Sequence, residues 1–257
     1  MIIHVGAVEK YWPKDIKLGF CMPLTWPHIN KQTHVSLFTM DRPNMIYLND
    51  EAGGGLEEKR EAQVTEGLNQ GCTHFFLVDG DMVVPPQILV DLFYTLEMGA
   101  DLAGGLCYRG DPPYEPLIWH PTEERLLKPF IDYQLGDVVD AGATGAACLL
   151  IKKEVFEQLE KPWFRFVTTK NVERENGSTT TITIRQGEDT YFTRRATKAG
   201  CKLKIITAYD IGHMREFCID RHFYLTFGLL NKLGDWGTVI KLFGKLSDKE
   251  WVKRELS

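Results

Sequence analysis

Short apolar runs alternate with amphipathic stretches along this chain, the pattern of strands and crossover helices around a largely parallel sheet. The first run, Leu18 to Leu24, is stopped by Pro23 and Pro27, and Asn44 to Leu48 reads as a second strand. Glu57 to Gln70 reads as a helix entered from the loop Gly53-Gly54-Gly55. The clearest strand, Thr73 to Val78, ends in Asp79-Gly80-Asp81. Pro85 and Pro86 suit the first turn of a helix, and Gln87 to Met98 repeats its apolar residues close to helical period at Ile88, Leu89, Leu92, Phe93 and Leu96. Strands are predicted over Asp101 to Leu106, Ala146 to Ile151 and Lys202 to Ala208, and helices over Lys153 to Leu159 and from Gly187 to about Lys198.

Between these elements, Tyr108 to Gly136 lacks a clear period and reads as an irregular insertion over one end of the sheet, while Gly177 to Thr183 reads as a loop or hairpin. The predicted class is therefore α/β, a Rossmann-like, mostly parallel central sheet flanked by helices. One domain is expected over residues 1–219. Residues 220–257 are expected to form a helical C-terminal extension packed on that domain or on a partner, and its Trp236, Val239, Ile240, Leu242 and Phe243 among lysines also suit a peripheral membrane contact.

Composition narrows the function. A chain of 257 residues with 44% hydrophobic and 25% charged content suits an ordinary globular enzyme. A net charge of −5 and a pI near 5.8 provide no basic field to gather nucleic acid. The six cysteines are scattered and never paired as CxxC, which disfavours zinc and a disulfide framework. No stretch approaches the roughly 20 apolar residues of a membrane span, and the N-terminus shows no signal-peptide pattern, so a cytoplasmic location is expected.

Candidate chemistry centres on Asp79-Gly80-Asp81. Two carboxylates one residue apart at the end of an apolar strand are costly unless a cation neutralises them. Hard carboxylate oxygens suit Mn²⁺ or Mg²⁺, which keep waters and take further oxygens from a diphosphate. Strand carboxyl ends are where open α/β sheets gather ligands. Taken alone, D-G-D is also an ordinary turn. Its company is Gly187-Glu188-Asp189 opening a later helix and Gly212-His213 after the last strand. Carboxylates at a helix start have their own structural explanation in capping and the helix dipole. Asp189 equally suits a general base toward an acceptor hydroxyl, with Glu188 positioning it, and an imidazole beside two carboxylates would complete a three-ligand Mn²⁺ set.

The segment from Thr73 to Met82 resembles the DxD strand of GT-A glycosyltransferases, especially family 2-like enzymes and their phage and archaeal relatives. The resemblance continues in order through Arg60 on the preceding helix, the glycine-rich segment Asp140 to Ala147, Lys161-Pro162-Trp163-Phe164, Gly187-Glu188-Asp189 and Gly212-His213, and covers about Lys17 to Arg215. It implies transfer of a sugar from a nucleotide-diphosphate donor, such as a UDP- or GDP-sugar, to a carbohydrate or other hydroxyl acceptor. Pro23 and Thr25 would border the nucleoside, Arg60 would contact base or ribose, and Asp79, Asp81 and His213 would hold the metal, with Asp79 also on the ribose. Trp163 and Gly145 would face the acceptor, Asp189 would act as base in an inverting reaction, and Arg215 would assist the leaving diphosphate. The QxxRW-type motif and membrane helices of processive synthases are absent from this sequence.

Two other readings remain open at this level. A nucleotidyltransferase would share the sheet, metal and nucleotide, but Cys21 to Pro27 offers no glycine or basic residue to cradle a triphosphate. A non-catalytic module binding a carbohydrate or a partner would retain the fold without the chemistry.

Overall fold

The computed structural model describes residues 12–13, 15–24, 29–49, 53–111, 114–121, 127–175, 178–215, 218–221, 223–224 and 226. In chain order the elements are β1 (Leu18–Cys21), α1 (Lys31–Thr39), β2 (Met45–Tyr47), α2 (Leu56–Asn69), β3 (His74–Val78), β4 (Met82–Val83) and α3 (Ile88–Glu97). They continue with β5 (Leu102–Gly105), β6 (Ile118–Pro121), β7 (Leu127–Pro129), β8 (Val138–Ala141), β9 (Ala143–Thr144), β10 (Cys148–Lys152) and α4 (Lys153–Gln158). The last are β11 (Val167–Glu175), β12 (Ser178–Gln186), α5 (Glu188–Lys198), β13 (Leu203–Ile206), β14 (Gly212–Met214) and β15 (Cys218–Ile219).

Seven strands form the central sheet in the order β2-β1-β3-β10-β5-β13-β8. Strands β1, β2, β3, β5 and β13 run one way, and β8 and β10 the other, so the sheet is mostly parallel. Its central strands are apolar on both faces because helices cover both. Along β3, Phe75 and Leu77 join the core layer that also holds Val64, Phe156 and Phe192, from α2, α4 and α5. Their neighbours Phe76 and Val78 join the opposite layer with Leu37 of α1 and Leu89, Leu92 and Phe93 of α3. The same alternation runs along β10, with Leu149 and Ile151 on the first side and Cys148 and Leu150 on the second. Helix α2 lies so close to β3 that a Cβ on Gly67 would come 2.4 Å from the Phe75 ring.

Helix boundaries follow local chemistry. Glu58 reaches back to accept from the Gly55 N–H at 2.6 Å, satisfying a donor at the start of α2. Helix α1 was not marked by the apolar pattern; Asn30 starts it by accepting the Gln32 N–H at 2.8 Å. One other expectation changes and one is extended. The segment 108–136 is not wholly irregular, because β6 pairs with β7 and also with β9. The expected loop or hairpin at 177–183 is, from Ser178 on, part of a longer hairpin than expected, with register from Val167↔Gln186 to Glu175↔Ser178. The expected C-terminal extension lies, beyond a few residues, outside the described residues, as do Trp236, Val239, Ile240, Leu242 and Phe243. Among the described residues no helix is long and apolar enough to cross a membrane.

Candidate functional site

Strand β3 delivers Asp79 and Asp81 to its carboxyl end, where the chain turns at Gly80 into β4. That glycine leaves room for Leu24, whose side chain would stand 2.8 Å from a Cβ at position 80. The late Gly-His segment reaches the same place as a strand: β14 pairs antiparallel with β4, setting His213 opposite Met82, and the Met214 N–H donates to the Asp81 carbonyl at 2.7 Å. The result is a cleft of about 440 Å³ lined by Pro23, Asp79, Gly80, Asp81, His213 and Arg215, among others.

Asp81 is the centre of charge in that cleft. Its Oδ2 lies 3.2 Å from His213 Nε2 and 2.5 Å from Arg215 Nη1. Burial opposes ionisation of this carboxyl, yet the hydrogen bonds and charges of His213 and Arg215 prevail and hold its pKa below the ordinary value. On the other side of the imidazole, Nδ1 stands 2.9 Å from the Tyr108 carbonyl. A carbonyl only accepts, so Nδ1 carries a proton. Burial disfavours the imidazolium, but Asp81 and that carbonyl outweigh it and raise the His213 pKa.

Arg60 occupies the floor behind Asp79. Its side chain is 1% exposed; Nη2 donates to Asp79 Oδ1 at 2.6 Å and Nε to Glu188 Oε1 at 3.1 Å. The expectation that Arg60 touches base or ribose is corrected by this burial: its guanidinium acts on the cleft through Asp79. Burial and the neighbouring Asp189 carboxylate push Glu188 to about 7, against the pull of Arg60.

The start of α5 is tied to the cleft by a second route. Asp189 Oδ2 accepts the Ala146 N–H at 3.2 Å, and the Asp79 N–H donates to the Ala147 carbonyl at 3.4 Å, so one short segment spans the two aspartates. Asp189 Oδ1 accepts the Thr190 N–H at 2.6 Å. Thr193 Oγ1 accepts from the Thr144 N–H at 3.1 Å and donates to the Thr144 carbonyl at 2.8 Å, fastening the same segment to α5. Gly145 is buried between Asp189 and Leu117, and a Cβ there would lie 3.2 Å from Asp189 Oδ2 and 3.0 Å from Leu117 Cδ1.

Trp163 is placed elsewhere. It is 4% exposed, packed edge-on to Phe156 at 5.2 Å, and its Nε1–H is shared by the Phe156 and Leu159 carbonyls. A ring so enclosed presents no face to an acceptor, and its role is to close the end of α4 onto the core. Arg195 of α5 donates to the Pro162 and Glu160 carbonyls beside it. Thr25 lies outside the described residues. Sequence reasoning did not single out Tyr108, because its contribution to His213 is a backbone carbonyl, which any residue type supplies.

Among the described residues, no three His, Cys, Asp or Glu side chains converge as a ready-made metal site. Asp81 and His213 form a close oxygen–nitrogen pair, while Asp79 Oδ1 is engaged by Arg60. The expected three-ligand set is thus assembled as two donors with the third carboxylate at the cleft wall. That donor set fits Mn²⁺ or Mg²⁺, which commonly take one or two protein ligands and complete their shell with phosphate oxygens and water. The five described cysteines are buried free thiols, and burial pushes Cys21, Cys107 and Cys148 up, so they remain neutral and contribute no soft ligand.

No protein-family model matches this chain, and no curated protein does. Among solved structures, the chain is similar to A197 from STIV, with a TM-score of 0.56 and 13% identity over 78% of this chain and 86% of that one. The likeness is one of fold. Lower likenesses are to UDP-glucose phosphorylase from Trypanosoma brucei, with a TM-score of 0.29 and 11% identity over 57% of this chain and 34% of that one. A mutant of UDP-glucose pyrophosphorylase from Leishmania major in complex with UDP-Glc gives a TM-score of 0.31 and 9% identity over 82% of this chain and 65% of that one. Neither of these two carries weight at such a TM-score.

Proposed function

We propose that this chain is a metal-dependent glycosyltransferase of the GT-A type, moving a sugar from a nucleotide-diphosphate donor such as a UDP- or GDP-sugar to an acceptor hydroxyl. The observation that carries this reading is the meeting of Asp79-Gly80-Asp81 with Gly212-His213 at one cleft, next to a helix start bearing Glu188 and Asp189. Asp81 and His213 would hold Mn²⁺ or Mg²⁺, which when bound supplies Lewis-acid stabilisation of charge on a departing diphosphate.

The protein's own groups do the rest. Pro23 borders the cleft and suits the nucleoside, and Asp79, steadied by Arg60, presents its remaining oxygen there. Arg215 lines the same cleft and can neutralise leaving-group charge in a site partly shielded from water. Asp189, oriented by two backbone N–H groups, takes the acceptor proton as oxygen attacks the sugar carbon from the side opposite the leaving group, giving inversion. Buried free thiols accord with a reducing compartment such as the cytoplasm.

A thermal-shift panel of UDP, GDP, CMP and dTDP, each with and without Mn²⁺, tests the donor site. A ligand at about 100 times its Kd adds about 2.7 kcal/mol of stability. The expected result is a shift that needs both Mn²⁺ and one diphosphate and that disappears in Asp81→Ala. A panel with no shift, or a shift unchanged in that variant, refutes the reading.

A further inference from the structure

The cleft contains a cation of its own. Arg215 Nη1 sits 2.5 Å from Asp81 Oδ2, the same oxygen that faces His213 Nε2 at 3.2 Å. A carboxylate oxygen between a guanidinium and an imidazole already has its counter-charge, so a divalent ion taking that oxygen competes with them. His213 is held from behind by the Tyr108 carbonyl and by the β14–β4 pairing. Arg215 is the freer group: its side chain is 40% exposed, and it lies just beyond the end of β14.

The seat of Arg215 is shaped by a glycine from the 108–136 insertion. A Cβ on Gly110 would lie 2.2 Å from Arg215 Nη2 and 2.6 Å from both Cζ and Nε, so any side chain there would push the guanidinium away. Gly110 does not have a positive φ, so an alanine backbone is tolerated and the space for Arg215 is what the missing side chain provides.

Resting on the proposed metal-dependent reading, we propose that Arg215 is a resident stand-in for the divalent cation on Asp81, seated against Gly110, and that cation binding releases its guanidinium into the cleft. Cation and arginine then compete for one oxygen, and Arg215 becomes available to a diphosphate only after the cation has arrived. This orders loading: the cation enters first, and the donor meets both positive groups.

The test titrates Mn²⁺ alone, without nucleotide, into the full chain and counts free aqueous Mn²⁺ by electron paramagnetic resonance. Wild type is compared with Arg215→Gln, Gly110→Ala and Asp81→Asn, each first confirmed as folded by circular dichroism. Breaking a half-exposed ion pair corresponds to about two- to fivefold tighter Mn²⁺ binding. That gain is expected in both Arg215→Gln and Gly110→Ala, with binding lost in Asp81→Asn. Gly110→Ala keeps the arginine's charge, so tightening in Arg215→Gln alone would mean that Arg215 acts only through its general field, overturning the proposal. Unaltered binding in both variants overturns it while leaving the metal-dependent reading standing. Absence of Mn²⁺ binding in wild type and every variant overturns both.

Discussion

Replacing Arg60 by Met removes the cation that joins the DxD strand to the start of α5. The arginine is 1% exposed and its partner Glu188 is 4% exposed, whereas Asp79, at 29%, is partly solvated and loses less. Breaking a buried pair by deleting one partner costs about 3–5 kcal/mol, mostly because the other charge is stranded, so the full cost belongs to pH values above about 7, where Glu188 would otherwise be ionised. The cost depends on pH in a defined direction. Burial and Asp189 already raise Glu188 in the native protein to about 7, against Arg60. Without Arg60 that carboxyl rises further and the folded state keeps its proton above pH 7, where the unfolded state has released it. Proton binding by the folded state alone makes stability fall as pH rises, by up to about 1.4 kcal/mol per unit. Urea denaturation at pH 6, 7, 8 and 9 should therefore show a gap between wild type and Arg60→Met that is steady below about pH 7 and widens above it. In the double variant with Glu188→Gln the widening should vanish. A gap independent of pH, or additive single and double effects, would refute the idea that Glu188 is the stranded charge.

Three further outcomes follow from named contacts. Asp189→Asn should lower sugar transfer by about 10² to 10⁴ while leaving the Mn²⁺-dependent thermal shift with nucleotide intact; near-normal transfer would remove Asp189 from the base role. Trp163→Ala should cost about 3–5 kcal/mol in chemical denaturation, as a buried aromatic does, yet leave the KM for acceptor unchanged well below the melting temperature; a selective rise in acceptor KM would restore the acceptor role. Gly67→Ala, which sets a Cβ 2.4 Å from the Phe75 ring, should cost about 1–3 kcal/mol by overpacking, and a melting temperature at or above wild type would show that α2 has room to move.

How far the sequence reached depended on whether a feature was local. The apolar runs at 18–24, 73–78 and 146–151 announce strands because their residues must be covered on both faces, and the structure places the strands they form, β1, β3 and β10, side by side in the central sheet. The carboxylates of Asp79 and Asp81 were legible as a candidate site because their spacing at a strand end is costly without a counter-charge. Helix α1 was not legible, since its exposed Phe38 and Val35 and its buried Thr33 and Ser36 contradict an amphipathic period, and only the Asn30 cap marks it. Nor could the order of strands be read, because the antiparallel insertion of β10 between β3 and β5 is a choice among pairings that local pattern leaves equal.

The functional details divide the same way. That aspartates, a glutamate and a histidine are candidates for chemistry is a property of residue types and needed no fold. Which of them meet was decided by tertiary structure: the β14–β4 pairing brings His213 onto Asp81 across 132 positions of sequence, and burial turns Arg60 from a ligand contact into the support of Asp79 and Glu188. Trp163 shows the converse, an aromatic suited in type to a sugar ring but consumed by the core that α4 and α5 build around Phe156. Residue type sets what a side chain can do; the pairing of distant strands and the exclusion of water set which of those things it does here.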